Sequence, residues 1–100
     1  MILYNVTIII NEEIESDWLI WMQNTHIPDV MSTQCFISNR ILKVLDSPNE
    51  GITYCVQYIA EDLIKFEGYK SNFSSKLQAA YPETFSNKFV SFRTVMEFIE

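Results

Sequence analysis

The order of strand-like and helix-like segments constrains the fold of this chain more than any other feature. Segments rich in β-branched and aromatic residues predict four strands, at residues 2–10, 36–45, 52–60 and 88–99. Apolar residues at helical spacing predict two helical segments, at residues 11–31 and 61–81. The order βαββαβ predicts an α+β, ferredoxin-like fold, in which a four-stranded antiparallel sheet carries both helices on one face.

Local signals at the segment ends support this order. Asn11 is suited to cap the first helix, and acidic residues follow it in the first turn. Pro28 lacks a backbone N–H, so we expect this helix to kink or restart near Ile27. Pro82 is expected to end the second helix, and the turn-forming residues 46–51 predict a hairpin of the second and third strands.

Strand alternation predicts which face of the sheet the helices cover. The tyrosine and valine sides of the first and third strands are expected to face the helices, together with Phe92 and Met96 of the last strand. Arg40 and Arg93 are assigned to the opposite, open face. The apolar residues assigned to that open face are Leu3, Ile9, Leu42, Val44, Ile59 and Val95. Because a half-apolar surface favours a partner, we expect a homodimer that packs through the open sheet face.

Length, charge and cysteine content narrow the class of protein. One hundred residues suit a single ferredoxin-like domain, expected over residues 1–100. The formal net charge of −6 disfavours nucleic acid and anionic membranes as partners. No segment has the ~20 consecutive apolar residues that would span a bilayer. Cys35 and Cys55 match no metal-binding motif and are not expected to form a disulfide, so the predicted location is the cytoplasm.

Several stretches of the chain resemble a known family. They are MILYNVT at residues 1–7, WLIWM at 18–22, HIP at 26–28 and FVSFRT at 89–94. These stretches resemble a bacterial domain-of-unknown-function family in the dimeric α/β-barrel (ferredoxin-like) superfamily, which is distantly similar to antibiotic-biosynthesis monooxygenases. The resemblance implies the fold and a dimer, and it implies no particular activity.

Haem-degrading members of the same superfamily use an Asn on the first strand, a Trp on the third strand and a His on the second helix. Asn5 matches the first of these. The third strand carries Tyr54 and Tyr58 but no Trp, and the second helix has no His. The resemblance therefore does not extend to haem degradation, and we expect neither a cofactor nor a metal site.

The first helix and the tyrosines of the sheet supply the candidate site. His26, the only histidine, titrates near neutral pH and is the candidate general base or hydrogen-bond donor. Trp21 is the predicted pocket wall, while Tyr4, Tyr54 and Tyr58 are predicted ligand-binding residues of a polar floor. The alternative is structural: His26 packs or caps the helix end, and the aromatic rings form a satisfied core.

Three functions fit these residues, and the sequence leaves open whether the protein is an enzyme. The first is binding or conversion of a small apolar or aromatic metabolite in a helix–sheet cleft near His26. The second is a non-catalytic dimeric interaction domain with a packed core. The third, an amino-acid-sensing module of the same strand order, is disfavoured because the turn at residues 10–12 lacks a glycine.

Overall fold

A single antiparallel sheet organises the protein, as seen in a computed structural model that describes residues 1–100. Its strands are β1 (Ile2–Ile10), β2 (Ser38–Lys43), β3 (Ile52–Ala60) and β4 (Phe89–Glu97). The strand order is β2-β3-β1-β4, so β1 and β3 are central. All neighbouring strands pair antiparallel, which confirms the predicted α+β, ferredoxin-like fold.

The first helical segment changes its character along its length. It contains a 3₁₀ turn (Glu12–Ile14), α1 (Glu15–Trp21), a π-helical turn (Met22–His26) and α2 (Ile27–Met31). The Asn11 side chain accepts a hydrogen bond of 2.9 Å from the Glu13 N–H, as expected for the cap. The predicted kink takes the form of the π-helical turn, which lies on the N-terminal side of Pro28.

The second helical segment is split, whereas the sequence predicted one helix. It contains α3 (Leu63–Asn72), α4 (Ser74–Ala79) and a 3₁₀ turn (Glu83–Phe85). The break falls at Phe73, whose φ of −129° and ψ of −30° depart from helical values. The Asp62 side chain caps α3 by accepting a hydrogen bond of 2.8 Å from the Lys65 N–H. None of the helices has both the length and the apolar character needed to cross a membrane.

The core lies between these helical segments and one face of the sheet. Tyr4 of β1 and Tyr58 of β3 face each other across the strands and are almost fully buried there. Phe36 packs against both rings, with centroids 6.0 and 5.2 Å away. Because Phe36 turns into this core, β2 begins at Ser38 and not at the predicted residue 36.

The structure corrects the predicted face assignment of β4. Tyr4 pairs with Val95 and Val6 pairs with Arg93, so Arg93 and Val95 lie on the helix-covered face. Phe92 pairs with Thr7 and lies on the open face, where more than half of its side chain is exposed. The prediction was wrong because both alternating sets of β4 contain apolar residues, and the more apolar set was assigned to the core.

Candidate functional site

A small cavity lies between the helical segments and the covered face of the sheet. Its volume is about 60 Å³, and β1, β3, β4 and all helical segments contribute to its wall. Thirteen of its 17 lining residues are hydrophobic, so the few polar groups define its chemistry. The four remaining residues are His26, Gln78, Ser91 and Arg93. We call this space the inner cavity.

The π-helical turn brings Trp21 and His26 together at the inner cavity. Five residues on an α-helix are rotated by about 140° from each other, so these rings would not meet on a regular helix. In the π turn, the Ile27 N–H donates to the Met22 carbonyl, one residue further back than in an α-helix. As a result, the two rings stack with centroids 4.8 Å apart and planes at 28°.

The Tyr58 hydroxyl is the most unusual polar group of the inner cavity. The side chain is only 1% exposed, and its oxygen has no hydrogen-bond partner within the protein. Burial raises the pKa of Tyr58 far above its usual range, and the nearby phenols of Tyr69 and Tyr4 add to this. The hydroxyl therefore stays protonated and is free to donate a hydrogen bond to a ligand.

Arg93 and two further phenols form the polar side of the inner cavity. The Arg93 Nε donates a hydrogen bond of 3.1 Å to the Tyr4 hydroxyl oxygen. Tyr69 of α3 lies against Tyr4, with ring centroids 5.8 Å apart. Burial raises the pKa of Tyr69 strongly, the adjacent Tyr4 adds to the increase, and the positive charge of Arg93 opposes it. The Tyr69 phenol is therefore a neutral donor beside one cation.

His26 is half-buried and makes no side-chain hydrogen bond within the protein. Burial lowers the pKa of His26, because the charged imidazolium loses hydration. The carboxylate of Asp29 raises that pKa, and Arg93 lowers it further. Asp29 thus acts on His26 through its charge and not through a hydrogen bond. The imidazole is neutral at pH 7, and a neutral imidazole can accept a proton.

Four of the five predicted site residues line the inner cavity, and Tyr54 does not. The Tyr54 hydroxyl donates a hydrogen bond of 2.7 Å to Glu15, which also pairs with Lys43 at 3.2 Å. Burial and this hydrogen bond raise the pKa of Tyr54 to about 12. The hydrogen bond from Tyr54, followed by that from Lys43, lowers the pKa of Glu15. Tyr54 is therefore a satisfied structural residue.

Asn5 lies away from His26, on the open face, as strand alternation predicts. Its side-chain oxygen accepts a hydrogen bond of 3.0 Å from Gln57, whose own oxygen accepts one of 2.6 Å from Arg40. The Asn5 amide also donates to Thr7 at 2.9 Å. These residues form a polar network on the open face that is separate from the inner cavity. No group of three or more His, Cys, Asp or Glu side chains is arranged to hold a metal ion.

Sequence reasoning missed several cavity residues, and Arg93 is the most important of them. Tyr69 of α3 was not predicted as a site residue, although it lines the inner cavity. Ser91 and Arg93 were missed because the alternation of β4 was assigned in the wrong phase. The sequence did contain a signal for this face: the polar residues Ser91 and Arg93 flank Phe92 on a strand that pairs directly with β1.

Comparisons with known proteins agree with the fold. A family model described as a domain of unknown function (DUF4286) matches residues 1–99. No curated protein matches the chain. An ethyl tert-butyl ether D (EthD) family protein from Bacillus halodurans superposes with a TM-score of 0.67 and 13% identity, covering 99% of this chain and 100% of that one. HapK from Hahella chejuensis gives a TM-score of 0.67 and 14% identity, with 99% and 93% covered. At such identities the likeness shows the fold alone.

Proposed function

The chain belongs to the DUF4286 domain family, and we propose that it binds a small, largely apolar or aromatic molecule in the inner cavity beside His26. One observation carries this proposal: the Tyr58 hydroxyl is buried in an apolar space without a hydrogen-bond partner. An unsatisfied buried hydroxyl costs about 1–3 kcal/mol. A ligand oxygen that accepts a hydrogen bond from Tyr58 would recover this cost, whereas a satisfied structural core would leave nothing to recover.

The other polar groups favour a ligand with an acidic hydroxyl or a keto group. His26 is neutral and can accept a proton from such a hydroxyl or from the carbon next to a keto group, while the phenol of Tyr58 and the guanidinium of Arg93 stabilise the negative charge on the resulting oxyanion or enolate oxygen. Trp21 forms one wall and keeps His26 in place by stacking. The same geometry serves binding alone or a proton abstraction. The distant similarity to antibiotic-biosynthesis monooxygenases stays a prediction from the sequence.

Native mass spectrometry of gently purified protein tests the proposal. We expect a reproducible additional mass from a bound molecule, and we expect it to be lost or strongly reduced in His26→Ala and Tyr58→Phe. Tyr54→Phe is the matched control, because Tyr54 lies outside the inner cavity and its loss should leave the additional mass in place. The proposal would be contradicted by a mass spectrum that shows the protein without any bound molecule, together with a tryptophan fluorescence that does not change when aromatic probes are added.

A second role, compatible with the first, is homodimerisation through the open face of the sheet. Val90 is 63% exposed, Phe92 56% and Met96 40%, and all three lie on this uncovered face of β4. The partly buried polar network around Asn5 lies beside them and is suited to the centre of an interface. A second copy packing sheet on sheet would cover both features. This apolar surface is larger than the sequence predicted, since Phe92 and Met96 had been assigned to the core.

Light scattering coupled to size-exclusion chromatography tests the dimer. We expect twice the chain mass of 11.7 kDa for the wild type and a shift toward one chain mass for Phe92→Asp. Ile64→Asp is the control, because Ile64 is 81% exposed on α3 and lies away from the open face. A monomeric wild type at micromolar concentration would contradict this role, as would a dimer that Phe92→Asp leaves intact.

The location proposed for the protein is the cytoplasm. Both cysteines, Cys35 and Cys55, are free and half-buried. Thiols persist in a reducing compartment, which supports this proposal. Rapid alkylation of intact cells followed by mass analysis should find both residues as alkylated thiols, and a mixed disulfide on either would contradict it.

A further inference from the structure

A second depression adjoins the inner cavity and shares part of its wall. Its volume is about 340 Å³, and it shares Tyr4, Tyr69, Gln78 and Arg93 with the inner cavity. Lys70, which is exposed, and Ser74, which is buried, also line it. We call this depression the vestibule. The inner cavity is smaller than the ~150 Å³ cavity that holds a benzene ring, so a larger ligand must extend from it into the vestibule.

The vestibule carries two cations that no acid neutralises. The ion pairs of the protein use Lys43 with Glu15 and Lys88 with Glu13, and neither Arg93 nor Lys70 lies within 4.0 Å of a carboxylate. In a chain with 13 acidic and only seven basic residues, two such cations in one depression are an exception to the overall charge. Their positive potential favours an anion at the mouth of an apolar cavity.

The orientation of Arg93 narrows the type of anion. Its Nε is already bound to the Tyr4 hydroxyl, so the two terminal nitrogens of the guanidinium remain available. A pair of N–H donors in one plane matches the two oxygens of a carboxylate. Resting on the proposed function, we infer that the ligand is an aromatic carboxylate: one edge of its ring enters the inner cavity, the rest of the ring lies in the vestibule, and its carboxylate binds Arg93 and Lys70 there.

Two matched probes separate the charge from the ring. The first is 3-phenylpropionate, and the second is 3-phenylpropanamide, which has the same skeleton but no charge. Dissociation constants are measured at pH 7 by ligand-observed NMR on the full chain. Because the exposed Arg93 gives a charge-assisted hydrogen bond at the weaker end of the range, we expect the carboxylate to bind about tenfold more tightly than the amide.

Charge-removing variants locate the effect. Arg93→Gln should remove most of the preference for the carboxylate, because only Lys70 then remains as a cation in the vestibule. Lys70→Gln is a safer second variant on an exposed helical position, and it should reduce the preference partly. Arg40→Gln removes the only other arginine, which lies on the open face, and should have no effect on either probe.

The possible failures are distinguishable. Equal binding of both probes, or a preference that Arg93→Gln leaves undiminished, would overturn the inferred carboxylate and leave the inner cavity as a site for neutral molecules. Binding of neither probe would overturn the aromatic carboxylate, and native mass spectrometry would then decide about the cavity independently. If Arg93→Gln fails to fold, Lys70→Gln alone decides: Lys70 is exposed, so the variant should keep the fold, and loss of its charge must still weaken binding of the carboxylate probe.

Discussion

Replacing Tyr58 by Phe should stabilise the protein, although it removes a hydrogen-bonding group from a buried tyrosine. In the unfolded chain the hydroxyl is hydrated, whereas in the folded protein it is buried and has no partner. The substitution removes the desolvation cost and keeps the ring, which packs against Tyr4 and Phe36. We take about 1 kcal/mol, the lower end of the cost of an unsatisfied buried hydroxyl. For a chain of this length the midpoint of thermal unfolding should rise by roughly 4–8 °C.

Urea unfolding followed by circular dichroism measures this change. Wild type and variant should have the same m-value, so that the free energies of unfolding can be compared directly. Tyr54→Phe is the matched control on the same strand, and it should lower stability, because the Tyr54 hydroxyl donates to Glu15 at 2.7 Å. The two Tyr-to-Phe substitutions are therefore expected to change stability in opposite directions.

A neutral or destabilising effect of Tyr58→Phe would refute the reasoning. It would mean that the hydroxyl has a partner in solution, such as ordered water in the inner cavity, and that no cost remains for a ligand to recover. If Tyr58→Phe both stabilises the free protein and loses the mass of the bound molecule, then the same hydroxyl costs stability and binds the ligand. A hydroxyl that lowers the stability of the free protein and raises its affinity for a ligand is typical of a binding site, because stability and function often compete at such sites.

Three further predictions concern pH and backbone conformation. Burial lowers the pKa of His26, so below pH ~6.5 the unfolded state binds more protons than the folded state. Wild type should therefore lose stability relative to His26→Gln as the pH falls through ~6.5. The NMR signal of the single imidazole should titrate below ~6.5 in the folded protein. Gly51→Ala should destabilise by more than about 1 kcal/mol, since φ is +88° and a Cβ would lie 2.6 Å from the Ile10 carbonyl oxygen. Gly68→Ala, which meets nothing within 4 Å in α3, should stabilise by about 0.5–1 kcal/mol in the same unfolding assay.

The helix around Pro28 marks a limit of prediction from sequence. The residue type correctly indicates a disturbance, because proline removes one N–H and its ring clashes with the carbonyl four residues earlier. That residue is Asn24, inside the π-helical turn. The sequence does not reveal whether the strain is relieved by a kink, a restart or a π turn. Only the π turn stacks His26 on Trp21, so the local geometry of the site depends on the one detail that periodicity cannot supply.

The tyrosines of β3 show a second limit. Alternation correctly places Tyr54 and Tyr58 on the covered face, and both are buried there. Residues four apart on a strand are separated by about 13 Å, so the two hydroxyls cannot share one small cavity. Which hydroxyl reaches the cavity depends on the helices that cover this face of the sheet. Glu15 of α1 accepts a hydrogen bond from the Tyr54 hydroxyl and holds it outside the cavity. Burial was therefore predictable from the sequence, and membership in the site was not.

The two faces of β4 allow the dimer and the ligand site to be tested separately, because neighbouring residues of a strand point to opposite faces of the sheet. Phe92 and Arg93 are adjacent, yet Phe92 lies on the open face and Arg93 lines the inner cavity. Phe92→Asp should therefore abolish the dimer and keep the preference for 3-phenylpropionate, whereas Arg93→Gln should keep the dimer and lose most of that preference. Light scattering measures the molar mass of both variants, and NMR titration measures the preference of both variants for 3-phenylpropionate. If each substitution removed both properties, the ligand site would require the second copy, and the two faces of β4 would not act independently.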